Sequence, residues 1–373
     1  MNKNCLFLIW AVIFGAAEML PDSVSGADDV RLELTVADDD LTVPGPLVVR
    51  ARMRNLGGNS IFLESPFGAL PGTLSFQTLA PDEETYRSFG AWMQNVEGGV
   101  GGPKIEVKSG DSVCSYEVLL PLQQTELDHK GLWKIRGVMF LKPGIPTYSE
   151  PVSLFIRELP KESLQRSQRL NGDIGHMLLE SHRDRPGVSS AVLERLMTEA
   201  RDLPEARDFL RFFSLLEQIR YSKTAAERIA AREELEMLRK EPMSDTHRQW
   251  TSVVAAWMYI QMNRGTLAAK ELEQVDADYT ERADLEKRIK YLEPIEKIRD
   301  VQTAGELNAA GQELAALRKQ PMDDNQRRWA ALVAARAYIH IKRGELALKE
   351  LGQVDANDPE RKVLEKRIRE LTE

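Results

Sequence analysis

Cysteine is almost missing from this chain: Cys5 and Cys114 are its two thiols in 373 residues. Cys5 lies just before an apolar stretch at the N-terminus, so removal of that stretch leaves Cys114 alone and no disulfide within the chain. Stability must then come from packing. Also missing is any apolar run of about twenty residues, the length a membrane-spanning helix needs. Lysine and arginine form no block and the net charge is −8, which removes the basic footprint expected of a nucleic-acid or anionic-membrane binder. Histidine is scarce at five. The nearest two, His176 and His182, fall on different faces of a helix, whereas a helical zinc pair needs i, i+4 spacing.

Other signals of chemistry fail on their context. GGVGG, at residues 98–102, lacks the Lys-Ser/Thr ending and following helix of a phosphate loop and reads as a sandwich loop. Cys114 alternates with Tyr116 and Val118 along a strand, the pattern of a buried, inert thiol. Asp38, Asp39 and Asp40 form an acidic turn without a calcium-binding frame. No catalytic residue, cofactor or metal ligand is therefore assigned.

What is present begins with an address. MNKNCLFLIWAVIFGAAEML has one lysine, an apolar run of roughly ten residues and then small side chains, the build of a secretory signal. Cleavage is expected after Gly15-Ala16-Ala17 or Ser25-Gly26-Ala27, giving a signal peptide over residues 1–27 and an exported, periplasmic or extracellular protein without stable membrane insertion. An exported chain of this size with no disulfide suits a bacterial envelope.

From about residue 30 to 156 the hydrophobic period is two. VRLELTV, PLVVRARMRN, NSIFLE, TLSFQTL, SVCSYEVLLP, LWKIRGVMF and EPVSLFIR are strand candidates separated by Gly, Pro, Asn and Asp, the pattern of an antiparallel β-sandwich over residues 28–158. PLVVRARMRNLGGNSIFL, VKSGDSVCSYEVLL and the strand around YSEPVSLFI resemble the immunoglobulin or fibronectin III-like modules common in exported bacterial proteins. The resemblance covers about a third of the chain and implies a fold without a chemistry. The paired cysteines of antibody domains are absent.

After Pro160 the period becomes helical, with linking helices expected over residues 159–222. Residues 223–373 then hold two tandem copies of a unit of about 79 residues, aligned without a gap from Thr224 and Thr303. LRKEPMSDTHRQWTSVVAAWMYI in the first reads LRKQPMDDNQRRWAALVAARAYI in the second. Trp250 matches Trp329, Tyr259 matches Tyr338, Gly265 matches Gly344, and Gln274-Val275-Asp276-Ala277 matches Gln353-Val354-Asp355-Ala356. Each copy breaks into four helical pieces, with Asp245 capping the second and Gly265 closing it. AWMYIQMNRGTLAAKELEQV resembles a tetratricopeptide (TPR-like) or HEAT-like hairpin, which implies an α-solenoid. His247 aligns with Gln326 and His340 with Gln261, so acids, bases and ligands are not what the copies keep. They keep helix-packing residues, and the unit is a scaffold. The mixed charge of the helices reads as solvated faces with i, i+4 pairs.

One stretch resists a purely structural reading. YRSFGAWM places Tyr86, Phe89 and Trp92 between strands, where aromatics can meet a protein or a sugar ring. The expectation is a non-enzymatic, exported interaction or scaffold protein of the cell envelope whose curved helical face holds another protein. The alternatives are a glycan- or wall-binding module using the aromatic loop, and a hydrolase whose acids converge only in the fold.

Overall fold

A computed structural model describes residues 29–41, 45–64, 74–89, 92–94, 104–121, 127, 130–142, 145–157, 160–181, 190–221, 224–320, 322 and 324–372. The apolar N-terminal stretch with both cleavage positions, the GGVGG segment and His182 lie outside them. The described chain is mixed β and α, with antiparallel sheets toward the N-terminus and eleven helices after them. No helix among the described residues is long and apolar enough to cross a membrane.

Alternation builds the first sheet. In β1 (Val30–Val36), Leu32, Leu34 and Val36 are buried while Arg31 and Thr35 face out. β1 pairs with β3 (Leu47–Asn55), β3 with β9 (Ser112–Leu119), and β9 with the short β7 (Trp92–Gln94). The second sheet runs β2 (Asp40–Leu41), β12 (Val152–Ile156), β10 (Gly131–Lys142), β5 (Leu74–Leu79) and β6 (Arg87–Ser88), with β11 (Ile145–Tyr148) on β10. β4 (Ile61–Glu64) and β8 (Lys104–Val107) form a ribbon. Leu34, Val49, Ala51 and Met53 of the first sheet share one apolar cluster with Phe76, Trp133, Ile135 and Leu154 of the second.

The other face of the first sheet does not meet water. Cys114, Tyr116 and Val118 of β9 and Val48 of β3 belong to a second apolar cluster made mostly of helical residues. β9 is consequently buried on both faces, the condition under which strand alternation disappears from a sequence.

The helices are α1 (Lys161–Ser181), α2 (Ser190–Glu199), α3 (Pro204–Tyr221), α4 (Ala225–Leu238), α5 (Asp245–Gln261), α6 (Gly265–Leu272), α7 (Arg282–Arg299), α8 (Ala304–Leu317), α9 (Asp324–His340), α10 (Gly344–Leu351) and α11 (Pro359–Thr372). Successive helices from α3 to α8 and from α9 to α11 pack on one another, except that α4 and α5 meet through α3, and α9 rests on α7. The duplicated text takes duplicated shapes. Thr224 and Thr303 each form a reciprocal capping box, with Glu227 and Glu306 respectively, opening α4 and α8.

Two details of punctuation differ from the sequence expectation. Ser244, not Asp245, caps α5, its hydroxyl accepting from the His247 amide. Gly265 and Gly344 open the next helix rather than closing the previous one; the left-handed turn residues are Asn263 and Lys342. Gly265 is required for a different reason, since a Cβ there would lie 2.8 Å from Cβ of Leu292. It is a contact glycine between α6 and α7.

Candidate functional site

A concentration of polar groups lies where the first sheet meets the helices. The loop after α6 passes along β9 beyond the end of β7, which pairs only with residues 117–119 of that strand. There Cys114 N donates to Asp278 O at 2.9 Å and Thr280 N donates to Cys114 O at 3.0 Å, so the loop fills an edge that would otherwise present unpaired backbone groups.

Side chains reinforce the seam. Asp276 Oδ2 accepts from Arg50 at 2.7 Å, Arg52 at 3.0 Å and the Tyr116 hydroxyl at 3.2 Å. Asp278 pairs with Arg52 at 2.9 Å and accepts from Ser112, while the Tyr116 hydroxyl also contacts the side-chain amide of Gln249 of α5. All four charged side chains are largely covered. Burial alone would raise the Asp278 carboxyl, but the Ser112 hydrogen bond and the Arg52 charge together hold it below the ordinary carboxylate value.

Cys114, Asp276 and Asp278 bring ligand-type atoms within 4.8 Å of one another. They do not suit a cation. The carboxylates already neutralise two guanidiniums, and a dication would have to sit beside both. The thiol is buried, and burial first, then the Asp278 and Asp276 charges, push its pKa up, away from the thiolate a metal or a nucleophile requires. The same bonds occupy the two converging acids, leaving them poor candidates for acid–base work. The cluster is a clasp that fixes the helices to the sheet.

Two further carboxyls are buried near this seam. Glu117 of β9 is fully buried, with one oxygen accepting from Ser115 at 3.0 Å and the other without a hydrogen bond; desolvation raises it well above the ordinary value. Glu281, just before α7, accepts from the Tyr279 hydroxyl at 3.2 Å. Burial pushes it up to about 8. The Trp257 indole nitrogen approaches the same carboxyl but lies outside hydrogen-bonding geometry.

The duplicated aromatics occupy unequal sites. Trp250 is completely buried, with the Phe209 ring stacked at 5.2 Å and Phe212, Phe213 and His247 around it. Trp329 is half-buried. The α7 positions that match Phe209, Phe212 and Phe213 are Arg288, Tyr291 and Leu292, and the Arg288 guanidinium lies 5.7 Å from the Trp329 ring and 4.8 Å from that of Trp257. Tyr259 and Tyr338 are both buried. Charge is duplicated too: Arg239 pairs with buried Glu271, and Arg318 with buried Glu350. These pairs are not the solvated faces expected from the charge pattern.

The aromatic segment does not form one surface. Phe89 is buried in the inter-sheet cluster, its amide donating to Phe76 O at 2.8 Å. Tyr86 is on the outer side, 3.8 Å from the Arg136 guanidinium, whose distance to the Tyr148 ring is 4.2 Å. The Trp92 side chain lies outside the described residues, and its backbone begins β7. The acidic turn is also engaged, with Asp40 paired to Arg157 and Asp38 4.0 Å from His247. His176 is exposed on α1.

No model of a known protein family matches this chain, and no curated protein matches it.

Proposed function

We propose that the protein is an exported, non-enzymatic interaction protein of the cell envelope. In this reading the two sheets are an immunoglobulin-like sandwich, the helices are a short α-solenoid, and the clasp makes them one body that presents a partner protein with a fixed surface. One observation carries the reading. On the outer face of the second sheet the cross-strand partners Leu132 and Phe155 are 51% and 46% exposed, where alternation on a solvated face would place polar residues. Arg136 lies further along β10, with Tyr148 of β11 and Tyr86, just before β6, beside it. Exposed apolar residues beside Tyr and Arg are the makings of an interface centre.

Leu132→Ser with Phe155→Ser tests this by affinity capture from the native envelope. The expected result is loss of the captured partner with an unchanged unfolding midpoint. Undiminished capture would sink the reading.

A second reading has its own observation. Arg136 stacked between Tyr86 and Tyr148 is a platform on which a sugar ring can lie, which supports a glycan- or wall-binding module. A glycan array with wild type and Tyr148→Ala separates the two, since a protein interface leaves the array blank.

A further inference from the structure

The outer face of the second sheet holds a guanidinium that the fold fixes in place without neutralising it. Arg136 of β10 stands opposite Gln77 of β5, and Gln77 opposite Ser88 of β6, so the three side chains form one row across the face. Arg136 Nε donates to Gln77 Oε1 at 2.9 Å. The guanidinium lies 3.8 Å from the centre of the Tyr86 ring and 4.2 Å from that of Tyr148. These contacts hold the group and leave its fork, Nη1 and Nη2, without an acceptor among the described residues.

The other charges of the face are mostly spoken for. Arg157, which follows β12, is paired with Asp40, and Arg87 at the β6 edge with Glu83. Lys134 projects from β10 beside Arg136, one pleat along, and neither makes an ion pair among the described residues. A surface arginine is ordinarily flexible, and ordering it at the moment of binding costs entropy. Here the ordering is already done. A planar fork with two parallel N–H groups matches a carboxylate in bidentate fashion, and one guanidinium balances its single charge.

What surrounds the fork selects the molecule that carries the carboxylate. The Gln77 amide nitrogen remains as a donor once its oxygen has accepted from Arg136, Ser88 adds an exposed hydroxyl at the end of the row, and Tyr148, 40% exposed, offers both ring surface and a hydroxyl. These are neutral hydrogen-bonding groups around one cation, and no apolar pocket. The exposed pair Leu132 and Phe155 lies four residues back along β10, about 13 Å away, too far to share one ligand ring with the fork. A ring with C–H groups on its face, hydroxyls on its rim and one carboxylate meets all of these groups at once.

We propose that Arg136 is the carboxylate-binding element of a site for acidic sugars, in which a uronic-acid ring lies against the exposed part of Tyr148 with its carboxylate on Nη1 and Nη2 of Arg136. The assignment rests on the glycan-binding reading of the same platform and adds to it the charge of the ligand.

The test is calorimetric titration of the full chain, at fixed ionic strength, with trigalacturonate, trimannuronate and a hyaluronan tetrasaccharide, each beside its methyl ester, which keeps the rings and removes the charge. At least one acid is expected to bind saturably and about tenfold or more tighter than its ester, the scale of one charge-assisted pair. Arg136→Gln should bring that acid to the affinity of its ester, Tyr148→Ala should weaken acid and ester alike, and Arg157→Gln, which removes a paired cation from the same face, should change neither. If a variant fails to fold, the wild type still decides through acid against ester. Acids bound no more tightly than their esters, or a preference for acid that survives in folded Arg136→Gln, would overturn the carboxylate assignment and leave the glycan reading standing. No binding of any sugar, acid or ester, would overturn both, and so would binding of hexaglutamate alone, which would assign the fork to an acidic segment of a protein partner.

Discussion

Glu281 gives the sharpest perturbation. Its carboxyl is buried beside Tyr279 and Trp257 and is pushed up to about 8, chiefly by desolvation. The unfolded chain holds an ordinary glutamate, so between the two values the folded state keeps a proton that the unfolded state has lost. The unfolded state then binds fewer protons, and stability falls as pH rises. The loss begins near the ordinary glutamate value, continues through neutrality and levels off above about 8. Roughly three to four pH units at about 1.4 kcal/mol each make the full cost on the order of 5 kcal/mol. Glu281→Gln removes the titrating proton, keeps a carbonyl oxygen to accept from Tyr279 and preserves shape. Urea unfolding of both proteins at about pH 4.5 and about pH 8.5 is the assay, and their stability difference should change by a few kcal/mol in favour of Gln at the higher pH. Glu117 also titrates upward, but it is present in both proteins and largely cancels in the difference. Parallel stability curves for wild type and Glu281→Gln would refute the argument, because they would mean that the carboxyl reaches water.

Two comparisons between the copies follow. Asp276→Ala strips the Arg50 and Arg52 guanidiniums of a shared acceptor inside the clasp and should cost about 2 to 4 kcal/mol, whereas Asp355→Ala, at an exposed matching position, should stay within about 0.5 kcal/mol. Equal effects in urea unfolding would mean that the clasp does not bear on stability. Trp250→Ala empties a fully buried site and should cost about 3 to 5 kcal/mol, and Trp329→Ala, from a half-buried one, about half of that. Equal losses would show that exposure does not separate the two sites.

The strands and helices were legible where a period had room to establish itself. Seven strand candidates correspond to β1, β3, β4, β5, β9, β10 and β12; β2, β6, β7, β8 and β11, of two to four residues, hold too little alternation to be read, and β4, of four, was legible from its apolar residues in NSIFLE. Local text could not place Asp276, since its partners lie more than two hundred residues away at Arg50 and Arg52 and its own motif recurs in the second copy. The alternation in PLVVRARMRN does not place the arginines of β3 either, because alternation distinguishes two faces of a strand but does not say whether the polar one meets water or another part of the chain.

A signal for the clasp was nevertheless present in the differences between the copies. Gln249, which meets the Tyr116 hydroxyl, becomes Arg328, and Arg328 pairs with Asp358, the residue that replaces Tyr279. Trp257 becomes Arg336, which pairs with Glu360, the counterpart of Glu281. Wherever the first copy meets or underlies the sheet with an aromatic or neutral group, the second has charges that satisfy each other. Mutual pairing suits a copy whose corresponding face does not meet the sheet. The positions a duplication preserves report how a unit is built, and the positions it changes report what that unit touches. By that criterion Asp278, Gln249 and Trp257, which become Asn357, Arg328 and Arg336, belong to a contact, while Asp276, preserved as Asp355, is a contact residue that only the fold reveals.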